Sequence, residues 1–192
     1  MTDKLFIDAQ QLLEDSFKLG TDIYRSGFKP NFIVGIWRGG TPVGIAVQEL
    51  LDYYGVKTDH IAIRTSAYSG IAKMKRQIRV HGLHYIVDHI NVEDRLLIVD
   101  DVFDTGLSIE AVIRTLKKKA RKNAPKDIRT ATVYYKPKQK KVAFRPDYYI
   151  HETNQWLIFP HELDGLSKEE IIKHKPGAQR FIKPDMIEKD RR

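Results

Sequence analysis

Apolar residues recur along this chain with two different periods. Leu12, Leu13, Phe17, Ile23 and Tyr24 fall near helical spacing between Asp8, which can cap a helix, and Gly27, which ends one. The run Phe32–Trp37 predicts a strand. Arg38-Gly39-Gly40 breaks it, and Pro42 opens a second helical pattern through Val43, Val47, Leu50 and Leu51. His60–Arg64 predicts another strand. The polar, basic stretch Thr65–Arg79 contains Gly70 and has no apolar face, so it is expected to be a long loop of functional character. Arg95–Val99 predicts a buried strand ending in Asp100-Asp101. After Asp104-Thr105-Gly106 comes a helix that turns Ile109, Val112, Ile113 and Leu116 inward. Thr130–Tyr135 and Tyr148–Ile150 predict strands, and Leu166–His174 a short helix with Ile171 and Ile172 buried.

Strands alternating with helices through Gly-bearing turns indicate an α/β fold with a mainly parallel twisted sheet flanked by helices. Ligands of such sheets bind at the carboxyl ends of the strands. The loops 38–41, 100–108 and the segment after Lys136 are thereby expected on one edge. No internal repeat or low-complexity segment interrupts the pattern.

A length of 192 residues with 42% hydrophobic and 30% charged positions fits one globular domain. The absence of Cys excludes disulfides, iron–sulfur clusters, thiolate zinc sites and a cysteine nucleophile. Apolar runs fall far short of the ~18 residues a membrane span needs. Asp3, Asp8, Glu14 and Asp15 leave no room for a secretory signal in residues 1–16. A soluble, cytoplasmic protein with no membrane partner is expected. The net charge of +8 concentrates in Lys117–Lys126 and Lys136–Lys141. That surplus is open to two readings, a solvated face or a field attracting phosphorylated ligands or nucleic acid.

The chemistry is densest from Leu96 to Ser108. An apolar strand delivers two adjacent carboxylates, and a glycine turn follows with hydroxyls at Thr105 and Ser108 and free N–H groups at a helix start. The second half suits a phosphate monoester. The carboxylates suit sugar hydroxyls or Mg²⁺, a hard cation that prefers oxygen ligands.

This stretch strongly resembles the phosphoribosyltransferase family, type I, in its signature for 5-phosphoribosyl-1-pyrophosphate (PRPP): four apolar residues, two acids, two variable positions, an acid, then Thr-Gly-x-Thr/Ser. The resemblance runs from about Phe32 to Glu162. It implies that Asp100 and Asp101 hold the ribose hydroxyls, directly or through Mg²⁺, and that Asp104, Thr105, Gly106, Leu107 and Ser108 receive the 5′-phosphate. Asp104 is then the candidate base that takes a proton from purine N7. Trp37-Arg38-Gly39-Gly40-Thr41 resembles the family's pyrophosphate loop, with Arg38, Gly39 and Gly40 as its binding residues. Relatives often carry a cis peptide there, which here would be Trp37–Arg38. The Thr65–Arg79 segment would be a lid over pyrophosphate, with Ser66, Tyr68 and Lys73 as contacts.

Lys136 ends a strand, and Gln155–Glu162 follows downstream. From the residues alone, Lys136 reads as a surface lysine and Trp156 as core. Together the two segments resemble the 6-oxopurine members of the family. By that resemblance Lys136 donates to the purine 6-oxygen, Trp156 stacks on the ring, the Leu157 carbonyl reads position 2, and Glu162 assists a second metal. The implied protein is a Mg²⁺-dependent enzyme that transfers phosphoribosyl from PRPP to N9 of hypoxanthine, guanine or xanthine. It would be one phosphoribosyltransferase domain spanning 1–192, with a hood from the N-terminal segment and about 137–192, and a homo-oligomer. Nucleic acid is not expected as a partner. The alternative is a non-enzymatic regulator of the same fold that binds PRPP and nucleic acid.

Overall fold

β-Branched and aliphatic runs form the centre of a sheet of six strands, and their buried backbone groups are satisfied by strand pairing. The computed structural model describes residues 4–68 and 77–182. In chain order the elements are β1 (Lys4–Phe6), α1 (Ala9–Arg25), β2 (Phe32–Trp37), α2 (Gly40–Tyr53), β3 (Asp59–Tyr68), β4 (Gln77–His81), α3 (His84–His89) and β5 (Arg95–Phe103). There follow α4 (Leu107–Ala120), a 3₁₀ turn (Arg121–Asn123), β6 (Asp127–Tyr135), β7 (Tyr148–Glu152), β8 (Trp156–Ile158), α5 (Lys168–His174) and α6 (Pro176–Gln179). They divide into two compact units, one from Gln10 to Asn154 and one joining the two ends of the chain.

The larger unit carries the sheet β4-β3-β2-β5-β6-β7. All neighbours are parallel except β3 and β4. From β2 the chain crosses through α2 to β3 on one side, and β5 then returns to the other side of β2. The strand order reverses between β2 and β5, which is where a doubly wound sheet opens a ligand crevice. The two faces are covered separately. Val34, Ile36 and Ile98 share a core with Ile109, Val112 and Leu116 of α4, while Gly44 of α2 lies close to Gly35 and Val99.

The expected fold class holds, and several local expectations change. Thr65–Arg79 is not one long loop. β3 runs on to Tyr68, and β4 pairs antiparallel with it, Ser66 opposite Arg79 and Tyr68 opposite Gln77. This strand lies at the sheet edge, where polar residues serve as well as apolar ones, so hydropathy carried little signal. Ser66 is in hydrogen-bond contact with His81 Nε2 at 3.1 Å. Lys73 lies outside the described residues. α1 buries Leu12, Ser16, Leu19, Gly20 and Ile23, leaving Leu13 and Phe17 exposed. The buried Ser16 hydroxyl donates to the Leu12 carbonyl at 2.6 Å, which lets a polar residue sit on the core face. α3 was not apparent in the sequence pattern. Ile172 is exposed and Ile171 half-buried, contrary to the expectation for α5.

The smaller unit has a sheet of two strands, β1 and β8, with Leu5 opposite Leu157. Phe6 stacks on His174 with ring centroids 3.9 Å apart, and Lys4 bonds Glu170. Ser167 and Glu170 form a reciprocal capping box at the start of α5. No helix among the described residues is long and apolar enough to cross a membrane.

Leu116, wholly buried between α4 and the sheet, gives a direct test of this core. Leu116→Ala is expected to lower the unfolding free energy by about 2–5 kcal/mol, read from urea transitions followed by far-UV circular dichroism. A loss well under that range would mean α4 does not seal this face.

Candidate active site

Three loops of the larger unit leave the carboxyl ends of parallel strands, at 38–41 after β2, at 104–106 after β5 and after Tyr135 of β6. The expected loop 100–108 is shortened, since β5 continues through Asp100–Phe103 and α4 begins at Leu107. β5 brings Asp100 and Asp101 to the reversal point. Their carboxylates are tied to nearby backbone, Asp101 N–H donating to Asp100 Oδ1 at 3.0 Å and Val102 N–H to Asp101 Oδ1 at 2.8 Å. The loop after β2 packs directly on this pair. A Cβ on Gly39 would overlap the Asp101 carboxylate, and one on Gly40 would stand 2.5 Å from the Val99 carbonyl. Only glycine allows that approach. The Trp37–Arg38 peptide is cis, Arg38 is exposed, and the half-buried Thr41 has a buried hydroxyl without a hydrogen-bond partner.

Burial pushes the Asp100 carboxyl well above the usual carboxylate range, and the Asp101 charge adds to the rise, while N–H groups of Asp101 and Gly40 oppose it. A carboxylate pair under that strain suits a divalent cation. Among the described residues no group of three acidic or histidine ligands exists. Mg²⁺ fits such a sparse donor set, since it is usually held by one or two carboxylates with water and substrate phosphate.

Beyond Asp101 a concavity of about 200 Å³ opens, lined by Asp100, Asp104, Thr105, Gly106 and Ser108 among others. Gly106 takes the left-handed conformation, φ 77°, and as the residue preceding α4 it has no side chain to cap the helix. A Cβ at Gly106 would stand 2.5 Å from Val142 and 2.6 Å from Phe103. The Leu107 N–H donates to Thr105 Oγ1 at 3.4 Å, a long contact, and the first turn of α4 borders a hollow edged by Thr105 and Ser108, an arrangement that can take an anion. Asp104 Oδ1 is buried and has no hydrogen-bond partner. An acceptor left in that state is open to a hydrogen-bond donor of a ligand. The β6–β7 segment braces the hollow, Lys141 N–H donating to the Thr105 carbonyl and Lys136 N–H to the Phe103 carbonyl, each at 2.9 Å. Lys136 is only 7% exposed, which excludes the surface reading of this residue.

In the smaller unit Trp156 is 58% exposed, not core, and Leu157 is buried. Glu162 Oε2 accepts from the Phe159 N–H at 2.9 Å, a role the sequence did not suggest. In the sequence Thr41 reads only as the last residue of the loop 38–41, with no role of its own, and Lys141 and Val142 do not read as site residues. The hydroxyl directly after Gly39-Gly40 was the available signal for Thr41, while the backbone bond of Lys141 and the packing of the Val142 side chain on Gly106 left none for those two.

A carboxylate pair beside a glycine-led helix start, at the strand-order reversal of an α/β sheet, is an arrangement suited to a phosphorylated ligand. Residues 7–164 match the family model of the phosphoribosyl transferase domain. The chain belongs to that family, and it is an enzyme of the phosphoribosyltransferase type with the type I fold. A purine phosphoribosyltransferase from Pyrococcus horikoshii is 27% identical, with a TM-score of 0.69 over 86% of this chain and 98% of that one. The Helicobacter pylori xanthine-guanine-hypoxanthine phosphoribosyltransferase shares the fold at 18% identity and TM-score 0.62, covering 90% of this chain and 100% of its own. So does a Neisseria gonorrhoeae protein solved with bound ppGpp, at 17% identity and TM-score 0.67, covering 93% and 98%.

The raised Asp100 value fixes a sign. A carboxyl that holds its proton more tightly when folded gives its full stability below the unfolded range near pH ~4, and loses it as pH rises through the folded value. Asp100→Asn is therefore expected to raise the thermal midpoint of the ligand-free protein at neutral pH and to flatten its decline from acid to neutral. Calorimetric scans across that interval check this, and an unchanged or lower midpoint at neutral pH would contradict it.

Proposed function

We propose that this enzyme transfers the 5-phosphoribosyl group of PRPP to N9 of a 6-oxopurine (hypoxanthine, guanine or xanthine) and releases pyrophosphate. The observation that carries the reading is the buried, unpartnered Asp104 Oδ1 beside the Thr105–Ser108 hollow at the start of α4. The α4 N–H groups with Thr105 and Ser108 hold the 5′-phosphate. Asp100 and Asp101 hold the ribose hydroxyls and Mg²⁺, which when bound neutralises pyrophosphate as it leaves. Arg38 with the Gly39–Gly40 backbone binds the departing pyrophosphate. As the C1–oxygen bond breaks and the bond to N9 forms, Asp104 takes the proton from N7. Positioning and electrostatic complementarity to the cationic sugar supply most of the acceleration.

Lys136 is assigned to the purine 6-oxygen because an ammonium has three donors and no acceptor, and burial makes an unmatched donor costly. Trp156 stacks on the base and Leu157 supplies backbone contacts. The 27% identity to a purine enzyme supports the same class of base. Two substitutions test the roles. Asp104→Asn keeps shape and removes the base, so kcat is expected to fall by roughly 10²–10⁴ while PRPP still binds in calorimetric titration. Wild-type turnover would remove Asp104 from the chemistry.

Substrate choice is tested by incubating the protein with PRPP, Mg²⁺ and each purine and identifying the nucleotide formed. Adenine offers an amino donor at position 6, and a site built for the opposite partner rejects such an analogue by ~10⁴–10⁵. Lys136→Gln presents either a donor or an acceptor and is expected to narrow the hypoxanthine-to-adenine ratio of kcat/KM. Equal use of both bases by the wild type, or an unchanged ratio in the variant, would remove Lys136 from base recognition. Tight, steeply salt-dependent binding of duplex DNA or RNA without any nucleotide product would favour the regulator instead.

A further inference from the structure

The smaller unit buries a lysine that the proposed reaction does not use. Lys175 stands between α5 and α6, 7% exposed, and its Nζ donates to the Phe159 carbonyl at 2.5 Å. Desolvation pulls its pKa below the ordinary lysine value, and the Glu162 charge works against that fall. A leucine or methionine would fill such a place without desolvating a charge, so packing alone does not account for it.

Its partner is informative. Phe159 N–H donates to Glu162 Oε2, and the Phe159 carbonyl accepts both from Glu162 N–H at 3.0 Å and from Lys175. Both backbone polar groups of this residue are therefore engaged within the turn. Phe159 directly follows β8, whose three residues run parallel to β1. Ile7 N–H donates to the Ile158 carbonyl at 2.9 Å, so Ile158 turns its backbone groups towards β1. Successive residues of a strand turn theirs to opposite edges. Leu157 accordingly presents its N–H and carbonyl on the far edge, where no strand pairs with β8 among the described residues. Two positions on, Phe159 has the same parity as Leu157 and would extend that edge.

We propose that Lys175, with Glu162, is a positioning residue that closes the Phe159 end of the β8 edge and leaves Leu157 as its one free donor–acceptor pair for the purine. The inference rests on the proposed role of Trp156 and Leu157 in holding the base. Without Lys175 the Phe159 carbonyl keeps the Glu162 N–H but regains a second lone pair that can compete for a purine donor, and the 159–162 turn loses a tie.

Lys175→Met keeps the aliphatic stem and removes the donor. KM for the preferred purine is expected to rise roughly tenfold, the scale of one charge-assisted hydrogen bond, with KM for PRPP and kcat nearly unchanged. Lys175→Gln, a shorter donor that cannot reach the carbonyl, is expected to show the same selective rise, so poor folding of the methionine variant would not hide the outcome. Lys175→Arg, which keeps charge and donors, is expected to recover much of the loss. An equal rise in both KM values, or a fall in thermal midpoint with base KM untouched, would reduce Lys175 to a structural lysine and overturn the proposal. Trp156→Ala is measured alongside. If it leaves base KM unchanged, the base role of this segment fails; if it raises base KM while the Lys175 variants do not, only the Lys175 proposal fails.

Discussion

Everything at the carboxyl edge of the larger sheet depends on how closely the Gly39–Gly40 backbone approaches the end of β5. Two chain segments that diverge to different helices are brought within contact distance of the same carboxylate pair. Neither glycine tolerates a side chain there. The approach holds peptide groups against Asp100, whose charge is otherwise disfavoured by burial and by Asp101. The loop proposed for pyrophosphate and the carboxylates proposed for sugar and cation are thus parts of a single packing event. The reversal of strand order makes room for it.

The fold and this site were legible for different reasons. Leu96–Ser108 could be read because its signals are local: an apolar strand, acids, then Gly106 where a left-handed turn precedes α4. The β3–β4 hairpin could not, because its polar edge strand is specified by pairing with β3 and not by hydrophobic burial. The core face of α1 was misread for a related reason. Ser16 satisfies its own hydroxyl within the helix and so occupies a place that hydropathy assigns to an apolar residue. Lys136 and Lys175 show the same blindness for charge. Lysine in a basic sequence reads as surface, and only the fold shows that these two side chains are withdrawn from water.

The units differ in what holds them. Wholly buried aliphatic side chains from several strands and helices fill the larger one. The smaller has two short strands and short helices, and specific contacts stand in for bulk: the Phe6–His174 stack, the Ser167–Glu170 box and the Lys175 tie to Phe159. Removing one directed contact in such a unit changes local geometry more readily than removing a methyl group from a large core.

The two tryptophans have an optical consequence. Trp37 and Trp156 are the chain's full complement, more than half exposed, and each belongs to a different unit. Indoles already in contact with water emit at long wavelength in the native state, so denaturation shifts their colour little and says little about the sheet. Their quenching, by contrast, reports what comes to rest beside them. Trp37 adjoins the loop proposed for pyrophosphate and Trp156 opens β8, and single replacements with phenylalanine would turn one blended emission into two separate reporters of occupancy.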